Sequence, residues 1–238
     1  MITQAVISAG GFGARLKPFT DTAPKPMIPI LGKPLLEWHV DAFKKHGVTE
    51  FFISLHHMPE VVMEYFGDGS KFGVSVQYFI EKEPLGSVGA LKKFEPYLSD
   101  TFYFIYGDVF SLMNYSKMAD AYARKESPIG MQRIRKTDEC EDADVAELCV
   151  EGRVTAIHPK PHTATYPNAC RMRGSFILDR RILSYVPEDT AFDMGKELLP
   201  AVVNAGENFY AYECDEYSKG VDTMEKLNEV LVHLGTLT

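Results

Sequence analysis

The residues best suited to chemistry stand close together near the start of this 238-residue chain. In the stretch SAGGFGARLKPFTDTAPKPMIPILGKP (8–34), Gly10, Gly11 and Gly13 precede Arg15, and Lys25 stands between Pro24 and Pro26. Glycines can take positive φ and let backbone N–H groups approach a ligand closely. Successive N–H groups and a following helix N-terminus form a nest for an anion. Arg15 can fork onto phosphate oxygens, and the fixed φ of the flanking prolines stiffens the segment that carries Lys25. The chemistry this allows is the binding and charge neutralisation of phosphate. For each feature taken alone, a turn or a surface lysine is the plainer reading; the combination favours phosphate. The common phosphate loops do not fit. Gly32-Lys33 is followed by proline rather than Ser or Thr, and Leu16 takes the third-glycine place of a dinucleotide loop.

Further along, Asp108 closes the apolar run TFYFIYGD, and Glu81 follows VSVQYFI. The adjacent His56 and His57 would point to opposite faces if on a strand, so strand-end polar residues are favoured over a metal site. The acidic run TDECEDAD (137–144) lacks EF-hand spacing and reads as a solvated loop.

The formal net charge of −8 argues against nucleic acid or an anionic membrane as partner. An anionic ligand must therefore be held by a local cluster of cations. The four cysteines show no CxxC pairing, which suits a reducing, cytoplasmic setting. No apolar run approaches the ~20 residues of a membrane span, and the N-terminal apolar run, with no charged leader, reads as a strand rather than a signal peptide.

Strands are expected at 3–9, 50–57, 74–81 and 101–108, with helices at 34–47, 59–69 and 86–98 between them. This alternation predicts an α/β fold, a Rossmann-like three-layer sandwich with a mainly parallel, mixed sheet. Ligands then lie beyond the carboxyl ends of the strands, where the glycine loop and Asp108 fall. The second half predicts a small substrate-binding hairpin turning at Glu151-Gly152, strands at 173–179 and 208–214, and helices at 194–206 and 223–235. One domain over 1–238 is expected, in two halves, 1–110 and 111–238.

The stretch AGGFGARLKPFTDTAPKPMIPILGKPLLE resembles the signature of the sugar-1-phosphate nucleotidyltransferases, the NDP-sugar pyrophosphorylases. EYFGDGSKFGVSVQYFIEKEPLGSVGAL and YGD continue the likeness, which thins from about residue 130. Ala14 replaces the usual threonine.

The resemblance implies attack of a sugar 1-phosphate on the α-phosphorus of a nucleoside triphosphate, with pyrophosphate leaving. It implies Arg15 on the triphosphate, Lys25 on the α-phosphate, and Asp108 as a ligand of Mg²⁺, the expected cofactor. The second metal ligand is assigned to Asp222 in SKGVDTMEKL, since Gly220 stands at the family aspartate's place. Ala9, Gly10, Gly11 and Gly13 are expected at the nucleotide, and Gly86, Ser87 and Gly89 on its base and ribose. Glu81 stands where relatives place a base-reading glutamine. A carboxylate only accepts hydrogen bonds, which favours GTP, then CTP, over UTP or dTTP; otherwise Glu81 points to solvent.

On the sugar side, Lys160, Arg173 and Gly174 are expected to bind the sugar phosphate. The family acid before the lysine is Pro159 here, and NAG becomes CRMRGSF. His158, His162, Lys160, Arg171 and Arg173 could answer an acceptor with an extra acid, although a solvated hairpin surface is the plainer reading. The alternatives are a cytidylyltransferase for phosphocholine or a phosphonate, and a non-catalytic nucleotide-sugar-binding regulatory subunit. Self-association into a homo-oligomer is left open. An appended β-helix or acyltransferase domain after the C-terminal helix, and with it a bifunctional enzyme, is not expected.

Overall fold

The computed structural model describes residues 1–136, 143–162, 166 and 170–236. They fall into two compact units made of separated pieces of chain: residues 1–84, 105–114 and 216–238 in the first, and 85–104 and 115–215 in the second.

In the first unit, the apolar run AVI and its neighbours form β1 (Gln4–Ser8), paired in parallel with β4 (Glu50–Leu55), which pairs in parallel with β5 (Ser75–Ile80). Parallel neighbours require crossovers. These are the helices α1 (Leu35–Lys44) and α2 (Pro59–Phe66). In α1 the buried Leu35, Leu36, His39, Val40 and Phe43 make one stripe, the spacing of a helix packed on a sheet. A small hairpin, β2 (Pro29–Ile30) with β3 (Lys33–Pro34), turns at Leu31 and Gly32, both at positive φ. β7 (Val109–Ser111) runs antiparallel to β13 (Ser218–Gly220), with Gly220 opposite Val109. Helix α6 (Met224–Gly235) follows, opened by Thr223, whose Oγ1 accepts from Lys226 N at 3.3 Å.

β6 (Thr101–Tyr106) spans the division, with residues 101–104 in the second unit. That unit also holds α3 (Leu91–Phe94), α4 (Tyr115–Ala123) and a mixed set of strands. β8 (Gly130–Arg135) lies antiparallel to β11 (Cys170–Asp179) and parallel to β12 (Phe209–Glu213). β9 (Val145–Leu148) and β10 (Val154–His158) form the expected hairpin, with Gly152 at φ 79 in its turn. Where a helix over 194–206 is expected, a five-residue π turn (Met194–Leu198) leads into the short α5 (Leu199–Asn204). The fold is of the expected α/β class, a mixed, mostly parallel sheet with flanking helices.

The first helix begins where it is expected, at Leu35, and three short 3₁₀ turns (Ala14–Leu16, Phe19–Asp21 and Lys25–Met27) separate it from the glycine loop. Five prolines between residues 18 and 34 remove the amide donors that a continuous helix would need.

Candidate active site

The phosphate-type residues converge within the first unit. Lys25 is buried, and its Nζ donates to Asp108 Oδ2 at 2.7 Å. Gly13 makes room for it. At φ 64 this glycine adopts a left-handed conformation, and a Cβ there would meet Lys25 Cβ and Thr20 Cγ2, each at 3.0 Å. Gly10 and Gly11, also expected to use positive φ, do not. Gly10 serves a different need: a Cβ there would come within 2.8 Å of Glu81 Oε1.

Asp108 is fixed from both sides. Gly107 N donates to Ser8 O at 2.7 Å and Val221 N donates to Asp108 O at 2.6 Å. A Cβ on Gly107 would meet Ala9 Cβ at 3.0 Å, so Ala9 acts as a spacer for the turn that carries Asp108. His39, buried in α1, lies with Nε2 3.4 Å from Gly107 O. Burial pushes its pKa down to about 4, against the opposing pull of the Gly107 carbonyl and the Asp108 charge, so this ring is neutral.

Asp222 follows β13 by two residues, past the end of the strand on which it was expected. The β7–β13 pairing brings it to the same place. Arg15 Nη2 lies 2.7 Å from Asp222 Oδ2, and Lys226 Nζ 2.8 Å from Oδ1. Burial raises the Asp222 pKa, but the Lys226 hydrogen bond and charge, then the Arg15 and Lys25 charges, outweigh it and hold the carboxyl below its ordinary value. Three cations and two carboxylates thus form one network.

The apolar neighbours of these residues explain the convergence. Leu16, Phe110 and Val221 sit in one buried cluster with Ile28, Ile30, Leu35 and Leu227. Each charged side chain is positioned by a chain neighbour whose burial stabilises by about 1.5–3 kcal/mol. Asp108 and Asp222 supply the hard oxygen donors that Mg²⁺ prefers, and both already hold cationic partners, so these residues fit a divalent cation. Among the described residues no group of three or more His, Cys, Asp and Glu gathers as a metal site.

Glu81 is buried beside Gly10, which corrects the alternative that it points to solvent. His56 Nδ1 donates to Glu81 O at 2.7 Å. β4 ends at Leu55, so strand alternation does not govern the two histidines; both rings lie against Phe12, at 5.0 and 5.8 Å.

The remaining expected residues lie in the second unit. Gly86, at φ 73, and Gly89 allow close packing of two backbones: a Cβ on Gly86 would meet Phe192 O at 2.6 Å, and one on Gly89 would strike Leu85 O and Thr190 O. Ser87 Oγ donates to Asp193 Oδ2 at 3.0 Å and accepts from Met194 N at 2.7 Å. Arg173 and Gly174 fall in a bulge: Met172 pairs with Ile134 and Phe176 with Gln132, so β11 carries two extra residues there. Gln132 Nε2 donates to Arg173 O at 2.8 Å. Lys160 N donates to Asp144 Oδ1 at 3.0 Å. His158 Nε2 lies 2.8 Å from Glu147 Oε1, with its ring stacked 3.6 Å from Tyr166.

Residues 137–142 of the acidic run lie outside the described residues, while Asp144 is engaged rather than merely solvated. Sequence reasoning missed Lys226, His39, Asp193 and Asp144. Of these, Lys226 had a readable signal, its i,i+4 spacing from Asp222.

Residues 4–230 match the nucleotidyl transferase family. The chain is 31% identical over 227 residues to a UTP–glucose-1-phosphate uridylyltransferase of Synechocystis, covering 89% of this chain and 58% of that protein. It is 41% identical over 115 residues to a D-glycero-α-D-manno-heptose 1-phosphate guanylyltransferase of Campylobacter jejuni, covering 48% of this chain and 52% of that one. The chain thus spans between half and three-fifths of these relatives' lengths. The HddC structure from Yersinia pseudotuberculosis superposes with a TM-score of 0.80 at 24% identity, over 98% of this chain and all of that one, a likeness of fold. The match over nearly the whole chain, together with the convergence of Arg15, Lys25, Asp108 and Asp222, places this protein in the nucleotidyl transferase family.

Proposed function

We propose that this protein transfers a nucleoside monophosphate from a triphosphate to a sugar 1-phosphate, releasing an NDP-sugar and pyrophosphate. The observation that carries the reading is the network of Arg15, Lys25, Asp108 and Asp222 on one glycine loop and one strand pair. Arg15, Lys25, Glu81 and the two metal carboxylates lie in the first unit; Gly86, Ser87 and Gly89, assigned to base and ribose, and Lys160, Arg173 and Gly174, assigned to the acceptor phosphate, lie in the second.

In the reaction an acceptor phosphate oxygen bonds to the α-phosphorus as the bond to the bridging β-phosphate oxygen breaks. The nucleophile is already an anion, so no general base is required, and catalysis consists of positioning and charge neutralisation. Lys25 stabilises charge on the α-phosphate as it turns from Asp108 to the ligand. Arg15, whose side chain is largely exposed beside Asp222, holds the β- and γ-phosphates and then the departing pyrophosphate. Asp108 and Asp222 would hold Mg²⁺, which supplies charge neutralisation across the phosphates.

GTP is the preferred triphosphate in this reading. The Glu81 carboxylate can accept from guanine N1–H and N2–H₂, whereas uracil or thymine O4 would face it with a second acceptor. The guanylyltransferase relative supports this choice and the uridylyltransferase opposes it. Pyrophosphate release, measured with each of the four triphosphates, Mg²⁺ and a range of sugar 1-phosphates, tests both levels. Release with none of them overturns the reading, and equal turnover with all four triphosphates overturns the role of Glu81.

A further inference from the structure

The family acid before Lys160 is absent, because Pro159 stands there. The structure brings another acid to the backbone of that lysine. Asp144, just ahead of β9, accepts from Lys160 N through Oδ1 at 3.0 Å. Its own carbonyl accepts from Met172 N at 2.9 Å, next to the Arg173–Gly174 bulge. Its carboxylate also lies against Gly195, where a Cβ would collide with Oδ2. Gly195 N in turn donates to Asp193 Oδ1 at 2.9 Å, and Asp193 is tied to Ser87. Asp144 therefore contacts Lys160 N, Met172 N just ahead of the Arg173–Gly174 bulge, and Gly195, and it is partly exposed. Among the described residues, Oδ2 has no hydrogen-bond donor. Of the cations nearby, His158 is already engaged by Glu147.

We propose that Asp144 accepts hydrogen bonds from the hydroxyls of the acceptor sugar, replacing the acid that Pro159 displaces. The acceptor is then a neutral, hydroxyl-rich sugar 1-phosphate rather than an acidic one. A carboxylate is a strong acceptor for hydroxyl groups and repels a second carboxylate. This assignment rests on the sugar-1-phosphate transferase reading and deepens it.

The test pairs calorimetric binding of hexose 1-phosphates with steady-state pyrophosphate release, for the wild type, Asp144→Ala and Asp144→Asn. The asparagine keeps an acceptor for Lys160 N without the charge, and circular dichroism checks that both variants fold. Losing a hydrogen bond to a charged acceptor should weaken acceptor binding by roughly 10–100-fold in Asp144→Ala, and by less in Asp144→Asn. The KM for the triphosphate stays unchanged. A deoxy sugar 1-phosphate lacking the contacted hydroxyl should bind the wild type weakly and Asp144→Ala no worse than the parent sugar does. Three results each overturn the proposal: unchanged acceptor binding in Asp144→Ala, an equal shift in acceptor and triphosphate KM, or tighter wild-type binding of a uronic acid 1-phosphate than of the neutral sugar. Wild-type hexose 1-phosphate binding that depends on Asp144 without any pyrophosphate release would uphold the site and overturn the transferase reading. Wild-type turnover with Asp144-independent binding would do the reverse, and neither binding nor turnover would overturn both.

Discussion

Lys25 is unusual in being a buried lysine whose ammonium meets a single carboxylate at 2.7 Å. Burying a cation is costly unless it is paired, and Asp108 meets that requirement. Lys25→Ala should lower kcat on the order of 10²–10³-fold, by analogy with the loss of one preorganised donor, while the circular dichroism spectrum stays that of the folded chain. A wild-type kcat in that variant removes Lys25 from the reaction. Asp222 sits amid three cations, so its neighbours matter as much as its own charge. Asp222→Asn should raise the Mg²⁺ concentration needed for half-maximal rate several-fold, read from metal titrations at fixed triphosphate. Glu81→Gln replaces an all-acceptor group by one that also donates. The ratio of kcat/KM for GTP to that for UTP should then fall by about tenfold, the worth of one good hydrogen bond. An unmoved ratio would separate Glu81 from base choice.

Helix α1 couples the site to pH through His39. The free imidazole has a pKa of 6.5 and the folded one about 4. Between these values only the unfolded chain takes up the proton, so stability is lost as the pH falls from about 6.5 towards 4. Above pH 6.5 both states are neutral and the histidine contributes no pH dependence. The loss should approach about 3 kcal/mol in full, at ~1.4 kcal/mol per unit. His39→Gln should flatten urea midpoints across that range. The loop after β5 makes a second element-scale demand. Gly86 needs positive φ and faces Phe192 O at the distance of a collision. Gly86→Ala should therefore cost more than 1 kcal/mol of stability, measured as a drop in thermal midpoint.

At the scale of the molecule, the chain's single tryptophan, Trp38, lies in the unit that carries the proposed nucleotide site. Its indole N–H donates to Ile30 O at 3.0 Å, and Lys33 Nζ sits 3.8 Å over its ring. Trp38 fluorescence thus reports on the packing of that unit. Saturating triphosphate and Mg²⁺, at about 100 times their dissociation constant, should stabilise the fluorescence-monitored transition by about 2.7 kcal/mol. The net charge of −8 makes these anionic ligands dependent on the local cations rather than on the overall field. No described helix is long and apolar enough to cross a membrane.

The order of elements and the α/β class were legible in the residues themselves, and the glycine–proline–cation stretch pointed to Arg15 and Lys25 as groups for phosphate; the reaction roles proposed for Arg15, Lys25 and Asp108 rest on the family resemblance. Periodicity records burial, and the glycine–proline–cation stretch is specific over a long run. Asp222 was assigned through the resemblance, from its place in VDT. The pairings were not legible, because they join residues far apart in the chain: Asp108 with Lys25, Asp222 with Arg15, Asp144 with Lys160. The glycine loop read as a phosphate nest, yet only the fold revealed that Gly13 clears the stem of Lys25 and Gly10 the carboxylate of Glu81. Asp144 read as part of a solvated acidic run until the fold set it against Lys160 and Gly195. Sequence determines which groups can carry charge and which segments bury. Only the tertiary structure decides which charges meet, since ion pairs and backbone collisions act across a few ångströms of space regardless of separation along the chain.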